Sequence, residues 1–200
     1  VEHLAQQVNK QPIHIIGYST GAPLALDFTL NALDGRTGPV PASLVLVSPA
    51  IGIHAAAAAA AWKRRTAVLP GLGSLAWLNI EPEFDPYKFN SFPVNASRQI
   101  NRATRALQGS LEEAQRAGRL AQLPPVVSWQ SVVDSTFGSN GLVDQVYARL
   151  SDPAHRLVMF DMNRMPELAG VARPAARALI DRLERAARGY TLDVVSNGND

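Results

Sequence analysis

The 200-residue sequence has no cysteine, which excludes disulfides, thiolate nucleophiles and cysteine-ligated metal centres. Charge of one sign is also scarce in excess: 19 Lys and Arg stand against 17 Asp and Glu, a formal net charge of +2. That balance predicts neither a nucleic-acid partner nor an anionic membrane surface, and the pI of 9.2 arises without any basic block. The arginines between 173 and 188 are spaced along an expected helix and read as its solvated face. No apolar run approaches the roughly 20 residues that span a bilayer. The longest, Ala55 to Trp62, closes in Lys63-Arg64-Arg65 and reads as a plain helix or filler against the core. No charged region followed by an apolar one marks a secretory signal, so a cytoplasmic location is favoured. There is no internal repeat.

What is present is ordinary for a globular domain: 46% apolar and 18% charged residues. Apolar positions 1, 4, 5 and 8 form a helical stripe that Pro12 stops. Ile13 to Tyr18 is a continuous apolar run, the pattern of a strand buried on both faces. A helix is expected over 21–33, and a second strand over Ser43 to Ser48, ended by Pro49. Residues 51–123 break the alternation with an alanine run, a Pro70-Gly71-Leu72-Gly73 turn and an aromatic, proline-rich patch, Glu81 to Pro93. Helices are expected there at about 95–107 and 110–121. The segment reads as a lid inserted into a core made of 1–50 and 124–200. Beyond Pro124-Pro125, strands are expected at 126–133, 156–162 and 190–195, with helices at 142–150 and 171–188. The β-α-β alternation predicts an α/β architecture with a mostly parallel sheet and helices on its faces.

One stretch carries chemistry: Gly17-Tyr18-Ser19-Thr20-Gly21, between an apolar strand and a small-residue helix. A chain of average composition and this length gives about 0.1 chance matches to the bare G-x-S-x-G pattern. The strand-turn-helix context narrows it further to a nucleophile elbow, in which a strained turn lifts the serine hydroxyl above the sheet. Small residues are expected at Gly17 and Gly21, where strand and helix nearly touch. Ser19 is the candidate nucleophile and the Thr20 N–H one oxyanion donor. The alternative is a serine N-cap without chemistry.

In open α/β sheets, functional groups gather at the carboxyl ends of strands. Asp134 sits there after the 126–133 strand and follows Ser19 in the order Ser, Asp that the fold's triads use. Asp144, within a helix, and Asp161, at a strand end, are its rivals. Neither His3, His14, His54 nor His155 stands in the chain order and at the sheet edge that a base requires.

These motifs resemble the serine hydrolases of the α/β-hydrolase superfamily, in the branch of lysophospholipases, monoacylglycerol lipases and serine aminopeptidases. The resemblance rests on Ile16-Gly17-Tyr18-Ser19-Thr20-Gly21-Ala22, on Leu44 to Ala50, and on Gln130-Ser131-Val132-Val133-Asp134. It is strongest toward bacterial members, through Asp85 to Asn95 and Leu157 to Arg164, and covers most of the chain. It implies an α/β-hydrolase fold with a helical lid, Ser19 as nucleophile, Asp134 as acid and Thr20 as oxyanion amide. It implies an acyl ester or lipid-like small-molecule substrate, and neither cofactor nor metal. Two departures stand out: Ser131 replaces the glycine common before the acid, and no histidine matches the family's base. The resemblance therefore places that base beyond Asp200, in a chain cut at both ends and inactive as it stands. A non-catalytic binding protein, or a thioesterase or aminopeptidase on the same fold, are the competing expectations.

Overall fold

The computed structural model describes residues 1–8, 11–52, 77–82, 84, 90–132, 139–161, 178–186 and 189–196. The alanine run, the Pro70 turn, most of the aromatic patch, His54 and Asp134 lie outside the described residues. The elements are α1 (Glu2–Gln7), β1 (His14–Tyr18), α2 (Gly21–Leu33), β2 (Ser43–Val47), β3 (Trp77–Asn79), β4 (Phe92–Pro93), α3 (Val94–Arg116), β5 (Val126–Ser131), α4 (Ser139–Gln145), β6 (Arg156–Asp161) and β7 (Thr191–Ser196). Residues 178–185 are also helical.

The chain is built on a five-stranded sheet in the order β1-β2-β5-β6-β7, the α/β layering expected from the sequence. All four pairings are parallel, with His14 beside Ser43, Leu44 beside Val126, Val127 beside Arg156 and Arg156 beside Thr191. Each new strand is laid on the same side of the previous one. Crossovers between parallel strands are right-handed, so a march in one direction puts the described crossover helices on one face. The core obeys this. Leu44, Leu46, Val126, Leu157 and Met159 share a face and pack with α2 (Ala22, Leu26, Leu30), α3 (Leu107, Leu111) and α4 (Leu142, Val143). The opposite face is more open. β1 departs from the expected two-sided burial, with Ile16 72% and Tyr18 69% exposed, and Trp129 on β5 is 45% exposed.

Two helical stripes hold the layer together. On α2, Ala22, Ala25, Leu26, Thr29 and Leu30 are buried, the spacing of one helix face. On α3, Val94, Ser97, Ile100, Thr104, Leu107, Leu111 and Ala114 do the same. The two helices expected at 95–107 and 110–121 are thus one, running through Gly109. A glycine inside a helix costs about 1 kcal/mol. Leu107 and Leu111, each 0% exposed, contribute about 1.5–3 kcal/mol apiece by burial and outweigh it. Ser110 adds a 2.6 Å hydrogen bond to Asp27 Oδ1 on α2. The helix ends at Gly118, whose left-handed φ of 69° suits a glycine terminator, and a 3₁₀ turn follows at Arg119–Gln122.

The helix expected over 142–150 starts earlier, at Ser139, and gives way to a 3₁₀ turn at Tyr147–Arg149. Tyr147 draws that turn inward: it is fully buried, its ring meets Tyr190 edge-on at 4.8 Å, and its hydroxyl donates to Arg156 O at 2.7 Å. The β3–β4 hairpin has no counterpart in the sequence reading. Ser91 Oγ ties it by donating to Glu81 O at 3.0 Å. Among the described residues no helix is long and apolar enough to cross a membrane.

Candidate active site

Ser19 follows the last residue of β1 and precedes the N-cap of α2, Thr20. Its φ is +50°, in the left-handed region that a non-glycine residue enters at a cost of about 1–2 kcal/mol. The surroundings over-determine it. Ser19 N donates to Val47 O at 2.9 Å, and Ser19 O accepts from Ala22 N at 3.2 Å and Ala50 N at 3.0 Å. The turn is therefore clamped from its own helix and from the end of the neighbouring strand.

Gly17 explains why the turn can be so tight. A Cβ on it would lie 2.7 Å from Ala22 Cα and 2.9 Å from Ala22 N. Strand and helix meet there, and nothing larger than hydrogen fits. Gly21 is different: a Cβ would find nothing within 4 Å. The demand for a small residue expected at both glycines falls on Gly17 alone, because α2 leaves the turn with Gly21 facing open space.

Ser48 is a second strained residue. It repeats the strained geometry one strand over, with φ +43° immediately before Pro49. Its N–H bonds Trp129 O at 2.8 Å, and the turn it makes brings Ala50 N onto Ser19 O. A Val-Ser-Pro tripeptide carries no signal for this, since a residue before proline favours extended backbone. Farther along, Gly52 at φ +93° stacks on Gly141: a Cβ on either would lie 2.5 Å from the other's Cα. That contact docks the β2 loop against the first turn of α4, directly after the 133–138 segment that holds Asp134.

Ser19 is half-buried and Thr20 is exposed. No carbonyl among the described residues accepts from the Thr20 N–H at the start of α2. A hydroxyl held beside such an N–H can attack an electrophilic carbon while the N–H meets the charge that develops. Beside it lies a cavity of about 640 Å³ between α2 and α3, lined by Thr20, Leu24, Gln99, Ile100, Arg102 and Ala103 among others.

The described histidines stand elsewhere. His14 opens β1, five residues from Ser19, or about 16 Å along a strand. Its Nδ1 pairs with Ser43 Oγ at 2.7 Å. His155 precedes β6 at the same far edge, 2% exposed, with Nδ1 accepting from Val126 N at 3.2 Å. Burial holds its pKa below the ordinary imidazole value, and the Asp152 charge opposes that only in part. His3 lies exposed on α1. Of the rival acids, Asp144 is engaged by Arg182 at 3.2 Å, while Asp161 is buried at the carboxyl end of β6. The structure thus brings Gly17, Ser19 and Thr20 together. Asp134 falls outside the described residues.

A sheet that advances in parallel order with a strained serine at the turn after β1 defines the class as α/β-hydrolase in fold. Among solved structures the chain is similar to a soluble variant of monoglyceride lipase from Saccharomyces cerevisiae, determined with a substrate analog. The two share 14% identity at a TM-score of 0.50, over 92% of this chain and 67% of that one. It is also similar to a hydrolase from Pseudomonas aeruginosa PA01, at 16% identity and a TM-score of 0.42, over 90% of this chain and 68% of that one. No protein-family model and no curated protein matches the sequence.

Proposed function

We propose that this chain carries the nucleophile of a serine hydrolase that cleaves carboxylic esters through an acyl-enzyme. The observation that supports it most is the strained backbone of Ser19, clamped by three hydrogen bonds at a strand-to-helix turn. Strain held this firmly is a feature of functional turns. Ser19 Oγ attacks the ester carbon and passes its proton to an imidazole, and the Thr20 N–H stabilises the tetrahedral oxyanion. The intermediate collapses, and the alcohol leaves with that proton. Water then attacks the acyl-enzyme, its proton goes to the imidazole and on to Ser19, and the carboxylic acid departs.

The acid is Asp134. An imidazole with a hydrogen bond at each end bridges about 8 Å from hydroxyl to carboxylate. Asp134 follows β5, two strands from β1, or about 10 Å at sheet spacing. Asp161 ends β6, three strands away, or about 14 Å. The base is a histidine other than His3, His14 and His155. The acyl-ester or lipid-like substrate fits the apolar cavity beside Thr20 and agrees with the lipase similarity.

Ester turnover and fluorophosphonate labelling of the complete protein test the assignment. Ser19→Ala removes labelling and lowers kcat/KM by about 10⁴-fold or more. Asp134→Asn lowers kcat by about 10³–10⁴-fold while Asp161→Asn leaves it within tenfold. Labelling that survives Ser19→Ala rejects the nucleophile. The larger loss falling on Asp161→Asn reassigns the acid. The second reading, a binding protein on this fold, draws on the distance of every described histidine from Ser19. It requires ligand binding with no turnover in the complete protein.

A further inference from the structure

We propose that the α2–α3 groove is a specificity subsite for substrates bearing an anionic group, and that Arg102 recognises that group. The proposal rests on the hydrolase reading of Ser19 and names the substrate class for the same site.

The groove opens at Thr20 and runs between the first turn of α2 and the amino-terminal half of α3. Leu24, Ile100 and Ala103 give it apolar walls of a kind that accept a hydrocarbon chain. Among its described lining residues Arg102 is the one with a charge. Four arginines elsewhere in the molecule are engaged, Arg36 by Glu113, Arg119 by Asp34, Arg156 by Asp193 and Arg182 by Asp144, whereas Arg98 and Arg105 beside Arg102 on α3 are not groove-lining. Arg102 has no carboxylate among the described residues, and its hydrogen bond to Gln99 Oε1 is long, at 3.4 Å. Its own helix offers none within reach. Residues 94–111 hold Arg98, Arg102 and Arg105 and no Asp or Glu, so positions three and four away from Arg102 carry no acid.

A guanidinium binds carboxylate or phosphate through two parallel charge-assisted hydrogen bonds. A neutral ester uses the apolar wall and gains nothing from this fork. An ester with a carboxylate elsewhere in the molecule, or with a phosphate headgroup, uses both. Arg102 therefore selects by charge and the groove by shape.

Equilibrium binding to the Ser19→Ala protein reads this without turnover. The probes are octanoate, octyl phosphate and the uncharged octyl glycerol ether. Both anions bind about tenfold tighter than the neutral ether at low salt. Arg102→Gln brings that ratio to within twofold, and Arg102→Lys retains part of it. Tighter binding of octyl phosphate identifies a headgroup, tighter binding of octanoate a carboxylate ester; either supports the subsite. Neutral and anionic probes binding alike, or a ratio unmoved by Arg102→Gln, overturns it. Wild-type Ser19 that resists a fluorophosphonate while Arg102 still governs the ratio sinks the hydrolase reading and leaves the subsite standing. Labelled Ser19 with an indifferent Arg102 does the reverse.

Discussion

Two glycines four residues apart behave in opposite ways. At Gly17 an added methyl meets backbone at 2.7 Å, which only a shift of the whole α2 start relieves. Gly17→Ala is expected to destabilise by about 1–3 kcal/mol in urea denaturation. At Gly21 the methyl meets nothing within 4 Å, and alanine restricts the unfolded chain. Gly21→Ala is expected to stabilise by about 0.4–1 kcal/mol; equal losses at both sites would contradict the geometry. The elbow was legible in the sequence because Gly17, Ser19 and Ala22 make their contacts within a few residues of one another. Ser48 and the Gly52–Gly141 contact were not. Their meaning lies in which distant backbone each approaches, and one chain without its partner segments does not carry that.

At the scale of elements, loop docking and strand starts matter most. The Gly52–Gly141 contact fixes the first turn of α4 against the loop that follows β2. Gly141→Ala drives a Cβ to 2.5 Å from Gly52 Cα and from Ile51 O, and is expected to cost ester turnover well beyond its effect on the far end of the sheet. Hydrogen exchange separates the two: amides of 142–146 lose protection while those of β1 keep it. His155 joins β5 to β6 at the opposite edge, its buried Nδ1 accepting from Val126 N. Burial lowers its pKa, so the unfolded chain binds this proton more readily than the folded one. That contribution to stability is complete above about pH 6.5 and falls as pH drops below it, until the lowered folded value is passed. Urea midpoints between pH 7 and pH 5 should fall, and His155→Gln should flatten this part of the curve. A slope unchanged by the substitution excludes His155 as its source. The sequence placed His155 correctly, before its strand, but its burial came from packing that periodicity does not report. The continuous α3 has the same origin: Gly109 reads as a break, and leucines on either side of it override that reading.

For the molecule as a whole, the parallel sheet was legible because a β-α-β alternation leaves few topologies once crossovers are right-handed. The unequal burial of its faces was not. Ile13-His14-Ile15-Ile16 reads the same whether one face is covered or two. The difference is measurable. Ile16→Thr, at 72% exposed, is expected to change stability by less than about 0.5 kcal/mol, whereas Leu44→Ala, at 0%, costs about 2–5 kcal/mol. Comparable losses would place Ile16 in a core.

The one-directional strand order also sets a schedule. Each strand after β1 joins a neighbour that left the ribosome before it, and among the described residues the clamps on Ser19 come from Val47, Ala22 and Ala50. The strained turn can thus close during synthesis, before any of α3 to β7 exists. Nascent chains arrested with residue 50 and those with residue 132 clear of the ribosomal tunnel should protect the 13–22 region equally from protease, and protection gained only after β6 emerges would show that later strands, not these clamps, hold the turn.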